Sequence, residues 1–141
     1  MEEIDYNWKL ILSGYKNIIE PKSIIYHSGG NLKNRSFLKS YYNHRNSMIL
    51  FLTNHNTVLM LSLLIPKLFL EIVSLLRYFL TINLTAFIAQ ISAYLWIIVH
   101  PFYIIKRIIQ INRIKKSSLL SILKKMYRPS IVFKYFILGK K

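Results

Sequence analysis

The uncharged apolar stretch from Tyr78 to Val99 constrains the fold more than any other feature of this sequence. It is about as long as a helix that crosses a bilayer, which needs roughly 20 predominantly apolar residues. Polar residues within it allow a re-entrant or interfacial hairpin instead: Thr81, Asn83, Thr85, Gln90 and Ser92. The sequence therefore predicts either a spanning helix here, the favoured form, or a segment that lies in the membrane interface.

The flanking segments also favour a membrane. An apolar run from Val58 to Ile65 ends at Pro66, which leaves it short for a span unless it extends back toward Met48. From Phe102 to Met126, apolar residues follow one helical face, and basic residues fall mostly on the other. Those basic residues are Lys106, Arg107, Arg113, Lys124 and Lys125. Lys115 to Ser118 predicts a break into two helices, with a serine as the second N-cap. A basic amphipathic helix of this kind is expected at an anionic membrane interface.

Composition supports this interpretation and excludes some functions. The 141-residue chain is 53% hydrophobic and carries a formal charge of +15, an unusual pairing for a soluble domain. Beyond residue 20 its only acid is Glu71. The absence of cysteine excludes disulfides, thiolate nucleophiles and zinc-thiolate sites. The basic charge could also serve nucleic-acid binding, but such proteins need no long uncharged apolar run, so we expect no nucleic-acid partner.

The first 54 residues contain an ordered series of local signals. Acids at the start, followed by apolar residues at three- and four-residue steps, predict a short helix that ends at Gly14. Two strand-like runs follow, Lys16 to Ile19 and Ser23 to Tyr26, and a glycine loop comes next. A further helix is predicted from Phe37 to Asn54, beginning near Ser36. The carboxylates in this series either cap the first helix or belong to a site.

The same series resembles the catalytic carboxylate end of a family 2 glycosyltransferase of GT-A type, similar to rhamnosyltransferases. The motifs that carry the resemblance are Glu2-Glu3, Ser13 to Lys16, Pro21, Tyr26-His27, Gly29-Gly30, Tyr42 and Arg45-Asn46. The resemblance is clear over roughly residues 1–55 and implies an α+β fragment. It divides the chain into three parts. Residues 1–35 would form the C-terminal edge of the GT-A α/β domain, and residues 36–101 a hydrophobic helical region that is embedded in the membrane or lies at its interface. Residues 102–141 would form a basic amphipathic tail.

The resemblance also implies roles for individual residues. Glu3 would be the general base that deprotonates the acceptor hydroxyl, and Glu2 and Asp5 would shape its surroundings. His27 would help to hold a divalent metal, Mn or Mg, against the diphosphate of the donor.

Past the glycine loop, the resemblance places Tyr42, Arg45 and Asn46 on the acceptor or phosphate side of the site. Arg45 suits phosphate because a guanidinium binds its oxygens in a bidentate fork. An interfacial helix whose arginine and tyrosines meet lipid headgroups is an equal alternative. His44 and His55 lack a partner at ligand spacing and are expected to be surface residues.

The implied function is transfer of a sugar, with inversion, from a nucleotide-sugar donor to a lipid-linked or cell-envelope glycan acceptor at the cytoplasmic face of the cell membrane. Asp5 is the only aspartate, so the chain has no Asp-x-Asp motif, and the nucleotide-binding half is expected to lie elsewhere. The chain alone is therefore expected to be inactive. The alternative is a small basic non-enzymatic membrane protein or subunit.

Overall fold

The protein is all-helical wherever its structure is described. The computed structural model describes residues 1–18, 20–26, 36–118, 121 and 124. Of these residues 78% are helical and none lies in a strand. The five helices are α1 (Glu2–Leu12), α2 (Ser36–Asn54), α3 (Thr57–Leu80), α4 (Leu84–Val99) and α5 (Pro101–Ile114). The prediction of an α+β fragment at the edge of a GT-A domain is therefore wrong.

The two predicted strand-like runs show the physical reason for this correction. Their described parts, residues 16–18 and 23–26, are irregular and exposed. A strand is stable only when a neighbouring strand satisfies its N–H and C=O groups. No other strand is present among the described residues to offer that pairing. The β propensity of these runs therefore produces no sheet.

The first two helices agree with the sequence. α1 carries three acids in its first turn, where they complement the positive end of the helix dipole. The chain leaves it through Gly14, whose φ of 89° lies in the left-handed region that glycine adopts without strain. α2 begins at Ser36 and ends at Asn54 as predicted. Both helix predictions are confirmed.

Among the described residues, α4 and α5 are long and apolar enough to cross a membrane only when taken together as one bent pair, which would be a broken span or a re-entrant loop. α3 is long and apolar enough as a single helix. It continues through Pro66 for a total of 24 residues. Proline removes one N–H donor from the helix, and α3 nevertheless continues on both sides of Pro66. None of its residues is buried within the chain.

The stretch from Tyr78 to Val99 is not a single helix, because it breaks at residues 81–83. The Thr81 hydroxyl donates to the carbonyl of Arg77 at 2.8 Å, and Ile82 has a positive φ of 54°. Asn83 then caps α4 by accepting from the Ala86 N–H at 3.1 Å. The polar residues that permitted a hairpin thus end one helix and start the next.

The helices after this break pack on the first two. α4 buries its small residues, including Ala89 and Ala93, and has its most extensive contact with α2. α5 leaves α4 at an angle of 75°, with Pro101 at its first turn. The predicted break after α5 is confirmed at residues 115–118, where the Ser118 hydroxyl accepts from the Ser121 N–H at 3.2 Å. Most of the second predicted helix lies outside the described residues.

Contacts far apart in the sequence attach α1 to α5. Leu12 is fully buried against Ile111, and Trp8 packs beside them. The N–H groups of Lys116 and Ser117 both donate to the carbonyl of Leu12, at 2.8 and 3.0 Å. These bonds satisfy an end of α1 that the helix itself leaves open. The start and the basic end of the described chain therefore meet in space.

Candidate functional site

A pocket of about 230 Å³ lies where α1, α2 and α5 meet. Both carboxylates and guanidinium groups line it. Its lining residues are Met1, Glu2, Asp5, Arg45, Asn46, Ile49, Leu50, Tyr103 and Arg107. Four of them, Glu2, Asp5, Arg45 and Asn46, are site residues that the resemblance implied from two distant segments. The fold brings these four side chains to one place.

Asp5 is the centre of a hydrogen-bond network on the wall of this pocket. One carboxylate oxygen accepts from Arg107 at 2.5 Å and from the Asn54 side chain at 3.1 Å. The other accepts from Lys9 at 2.8 Å. The side chains of Asp5 and Arg107 are only 19% and 17% exposed, which places their ion pair largely out of water. Ion pairs between groups in that position are less screened than surface pairs.

The environment of Asp5 keeps its carboxylate ionised, so Asp5 stabilises the contacts between helices and is a poor proton acceptor. Burial raises the pKa of its carboxyl, but hydrogen bonds from Lys9, Asn54 and Arg107 outweigh burial and hold the pKa below its ordinary value of 3.8. Opposite charges and donors of this kind favour the ionised form. Asp5 therefore stays charged at neutral pH and joins α1 to α2 and α5.

Arg107 does not lie on an outer basic face with Lys106, so that part of the sequence prediction is wrong. Its side chain turns inward, pairs with Asp5, and donates through Nε to the Thr53 hydroxyl at 3.1 Å. Thr53 in turn donates to the carbonyl of Ile49 at 2.8 Å. Helical periodicity placed Arg107 on the basic face, but it could not show that the side chain pairs with an acid from the other end of the chain.

Arg45 is held by aromatic rings from two helices. Its guanidinium lies 5.3 Å from the ring centre of Tyr41, 4.8 Å from that of Tyr42 and 4.9 Å from that of Trp96. Two of its nitrogens also donate to the side-chain oxygen of Asn46, each at 3.1 Å. Cation–π contacts fix a guanidinium without neutralising its charge. Tyr42 thus contacts Arg45 but does not line the pocket.

The remaining predicted site residues are placed less favourably. Glu3 is exposed at the start of α1 and is absent from the pocket lining, whereas its neighbour Glu2 is part of it. The role of Glu3 stays a prediction. His27 lies outside the described residues. Within the described ranges no group of three His, Cys, Asp or Glu side chains could hold a metal.

A second polar cluster, which we call the Glu71 cluster, lies between α2, α3 and α4. Glu71 is 11% exposed and pairs with Lys67 at 2.5 Å and with His44 at 3.2 Å. His44 also contacts the hydroxyl of Tyr78 at 3.4 Å. The amide of Gln90, which is fully buried, donates to the carbonyl of Glu71 at 2.9 Å and to its carboxylate at 3.1 Å.

The Glu71 cluster turns the mid-helix charges of α3 toward protein. Lys67 and Glu71 are one helical turn apart and both face the α2–α4 side, so neither charge has to meet lipid if α3 is in a membrane. The isolation of Glu71 in an acid-poor region was a usable sequence signal for this cluster. Its spacing from Lys67 was another.

The prediction that His44 and His55 are surface residues is wrong. His44 belongs to the Glu71 cluster, and His55 is half-buried between the rings of Trp8 and Phe51, with centroids 5.4 Å from each. Burial, and to a lesser degree the charge of Lys115, lowers the pKa of His55. This imidazole, in the loop before α3, is therefore a neutral packing group between α1 and α2.

No protein family, curated protein or solved structure matches this chain.

Proposed function

We propose that this chain is the C-terminal, acceptor-side portion of an inverting glycosyltransferase, which moves a sugar from a nucleotide-sugar donor to a lipid-linked or cell-envelope glycan acceptor. The observation that carries the proposal is the shared pocket. Glu2 and Asp5 come from α1, Arg45 and Asn46 come from the middle of α2, and all four line it. The motif resemblance, which depends only on the order of residues in the chain, associates these same positions with one site.

The pocket contains the chemical groups that an acceptor site needs. A carboxylate at the start of α1, either Glu2, which lines the pocket, or its neighbour Glu3, which has this role by resemblance, removes the proton from the acceptor hydroxyl. The acceptor oxygen forms its bond to the anomeric carbon as the bond from that carbon to the nucleoside diphosphate of the donor breaks. Arg45, fixed by its aromatic neighbours, contacts a phosphate of the substrate. Asp5 keeps Arg107 and α1 in position. The donor-binding part is supplied by another segment or polypeptide.

The expected Mn or Mg ion does not fit the described residues. They offer no set of three metal-ligating side chains, and the carboxylate of Asp5 is already paired with Arg107 and Lys9.

The reaction would take place at a membrane into which α3 is inserted. The mid-helix charges of α3 face α2 and α4, and the other exposed residues of α3 before Arg77 are apolar or small polar ones. α5 lies beside the first turn of α3, where Thr57 and Met60 share a pocket with Ile108 and Lys115. Basic residues near the end of a span favour the cytoplasmic side, so the pocket where α1, α2 and α5 meet would face the cytoplasm.

A transfer assay tests this proposal. Membranes containing the chain together with a donor-binding segment are supplied with labelled nucleotide sugars, and label in the lipid and glycan fractions is measured. We expect transfer by the unmodified chain. We expect Glu3→Gln or Glu2→Gln to reduce it, whereas Glu20→Gln, which changes an exposed acid outside the pocket lining, serves as the control and should not. Absence of transfer for every donor sugar, or full activity in all three variants, would overturn the proposal.

The second candidate function is a small basic non-enzymatic membrane protein or subunit. The observation that favours it is the all-helical fold of the described residues, in which Asp5 serves an ion pair between helices. In that case acid substitutions in the pocket would change only stability, and no sugar would be transferred by any assembly that contains the chain.

A further inference from the structure

The outer face of α5 combines apolar and basic side chains that the other described residues leave uncovered. Phe102 is 83% exposed, Ile105 51% and Ile109 48%. Together with three polar residues they form a groove of about 340 Å³, which we call the α5 groove. Its lining is Phe102, Ile105, Lys106, Ile109, Gln110 and Arg113.

The α5 groove is separate from the face that holds α5 in the fold. Ile104 and Ile111 are buried, and Arg107 turns inward to Asp5. At 100° per residue, Lys106 and Arg113 are two turns apart on the opposite side, about 10 Å along the axis. Neither forms an ion pair with an acid among the described residues, and α5 itself contains no acid. Two cations therefore border an apolar strip without any internal counter-charge.

We infer that the α5 groove binds anionic phospholipid at the membrane surface. Lys106 and Arg113 would contact the phosphate-bearing headgroups, while Phe102, Ile105 and Ile109 enter the boundary with the acyl chains. Charge complementarity selects this occupant over a neutral bilayer, because basic residues near an anionic surface are attracted to its negative potential. Its place in the fold agrees, since α5 turns 75° from α4 beside the first turn of α3.

The aromatic residues near the bend between α4 and α5 also favour a position at the membrane–water interface. The ring of Trp96 stacks on His100 at 4.3 Å and meets Tyr103 edge-on at 5.3 Å. Tryptophan and tyrosine are enriched at the membrane–water interface, where an apolar ring and a polar atom are both accommodated. The inference rests on the membrane placement in the proposed function and is independent of sugar transfer.

The test measures which lipid is adjacent to α5 in the full-length chain. The sequence has no cysteine, so Asn112→Cys gives one labelling site on an exposed position of α5 that does not line the groove. The fluorescent derivative is placed in phosphatidylcholine nanodiscs with trace nitroxide-labelled phosphatidylglycerol or, separately, nitroxide-labelled phosphatidylcholine. We expect the anionic lipid to be enriched about tenfold near the label at low salt, and less at high salt.

A charge-matched control separates the groove from the overall basicity of the chain. The double variant Lys106→Gln/Arg113→Gln should reduce the enrichment to about twofold, because both headgroup contacts are lost. Lys16→Gln/Lys22→Gln removes the same charge from exposed positions outside the groove and should leave the enrichment nearly unchanged. Circular dichroism confirms that both variants keep their helices.

Several results would overturn the inference. Equal quenching by the two lipids would remove the charge selectivity, and an equal loss in both double variants would assign it to net charge alone. Quenching by neither lipid would mean that α5 faces protein or water, as it would if a partner polypeptide covered the groove. Sugar transfer by the membrane assembly would be unaffected by these outcomes, so the two proposals fail separately.

Discussion

Replacing the Asp5–Arg107 pair tests whether α1 is attached to the helical body as described. The pair joins residues 102 positions apart in the sequence and is supported by bonds from Arg107 to Thr53 and from Asn54 to Asp5. With about four-fifths of each side chain covered, it differs from a surface ion pair, for which about 0.2–1 kcal/mol is typical. Hydrogen bonds to charged groups contribute about 1.5–3 kcal/mol.

We therefore expect a coupling free energy of about 1.5 kcal/mol from a double-mutant cycle of Asp5→Asn and Arg107→Gln, since the exposed fifth of each side chain weakens the pair. The single substitution Asp5→Asn should cost about 2 kcal/mol, because it also leaves the cation of Arg107 without its counter-charge. Both values refer to the free energy of unfolding in detergent micelles.

The fluorescence of Trp8 reports this unfolding directly. Its indole N–H donates to the carbonyl of Asn54 at 3.1 Å, so undocking of α1 exposes it. Trp96→Phe provides a single-tryptophan background for every variant. Lys9→Gln is the control, because Lys9 is 37% exposed and its pair with Asp5 within α1 should contribute only about 0.5 kcal/mol. A coupling energy below about 0.3 kcal/mol for Asp5 and Arg107 would refute the reasoning.

Three further predictions follow from the same contacts. Because the pKa of Asp5 is lower in the folded chain than its ordinary value of 3.8, its contribution to stability is complete above that value and is lost as the pH falls through the folded pKa. Acid titration of Trp8 fluorescence should show this loss, and Asp5→Asn should remove the dependence. Glu71→Gln leaves Lys67 and His44 without their carboxylate and should destabilise the packing of α3 by about 3 kcal/mol, as measured by unfolding in micelles, whereas the exposed Glu20→Gln should have almost no effect. In an active assembly, Glu3→Gln should lower turnover by about 10²-fold with folding intact, and near-normal turnover would exclude Glu3 as the base.

Local signals in the sequence determined the features that depend on neighbouring residues. The limits of α2, the end of α1 at Gly14 and the break after α5 follow from capping, backbone freedom and periodicity within a few positions. The basic and apolar character of the chain also follows from composition alone. Four of the predicted site residues, Glu2, Asp5, Arg45 and Asn46, come together in the pocket, but Glu3 and Tyr42 do not line it, and the sheet implied by the same resemblance is absent from the described residues.

The tertiary structure determined which helix faces pack together and therefore which side chains pair. α3 continues through Pro66 and ends at Leu80, where the Thr81 hydroxyl donates to the carbonyl of Arg77 and the Asn83 side chain caps α4. The partner of Arg107 is an acid at the other end of the chain, and the partner of Glu71 is a histidine that sequence spacing could not assign. A charge in a sequence fixes what a residue can bind, but only the packing of helices fixes which opposite charge lies within reach and whether water is excluded from the pair.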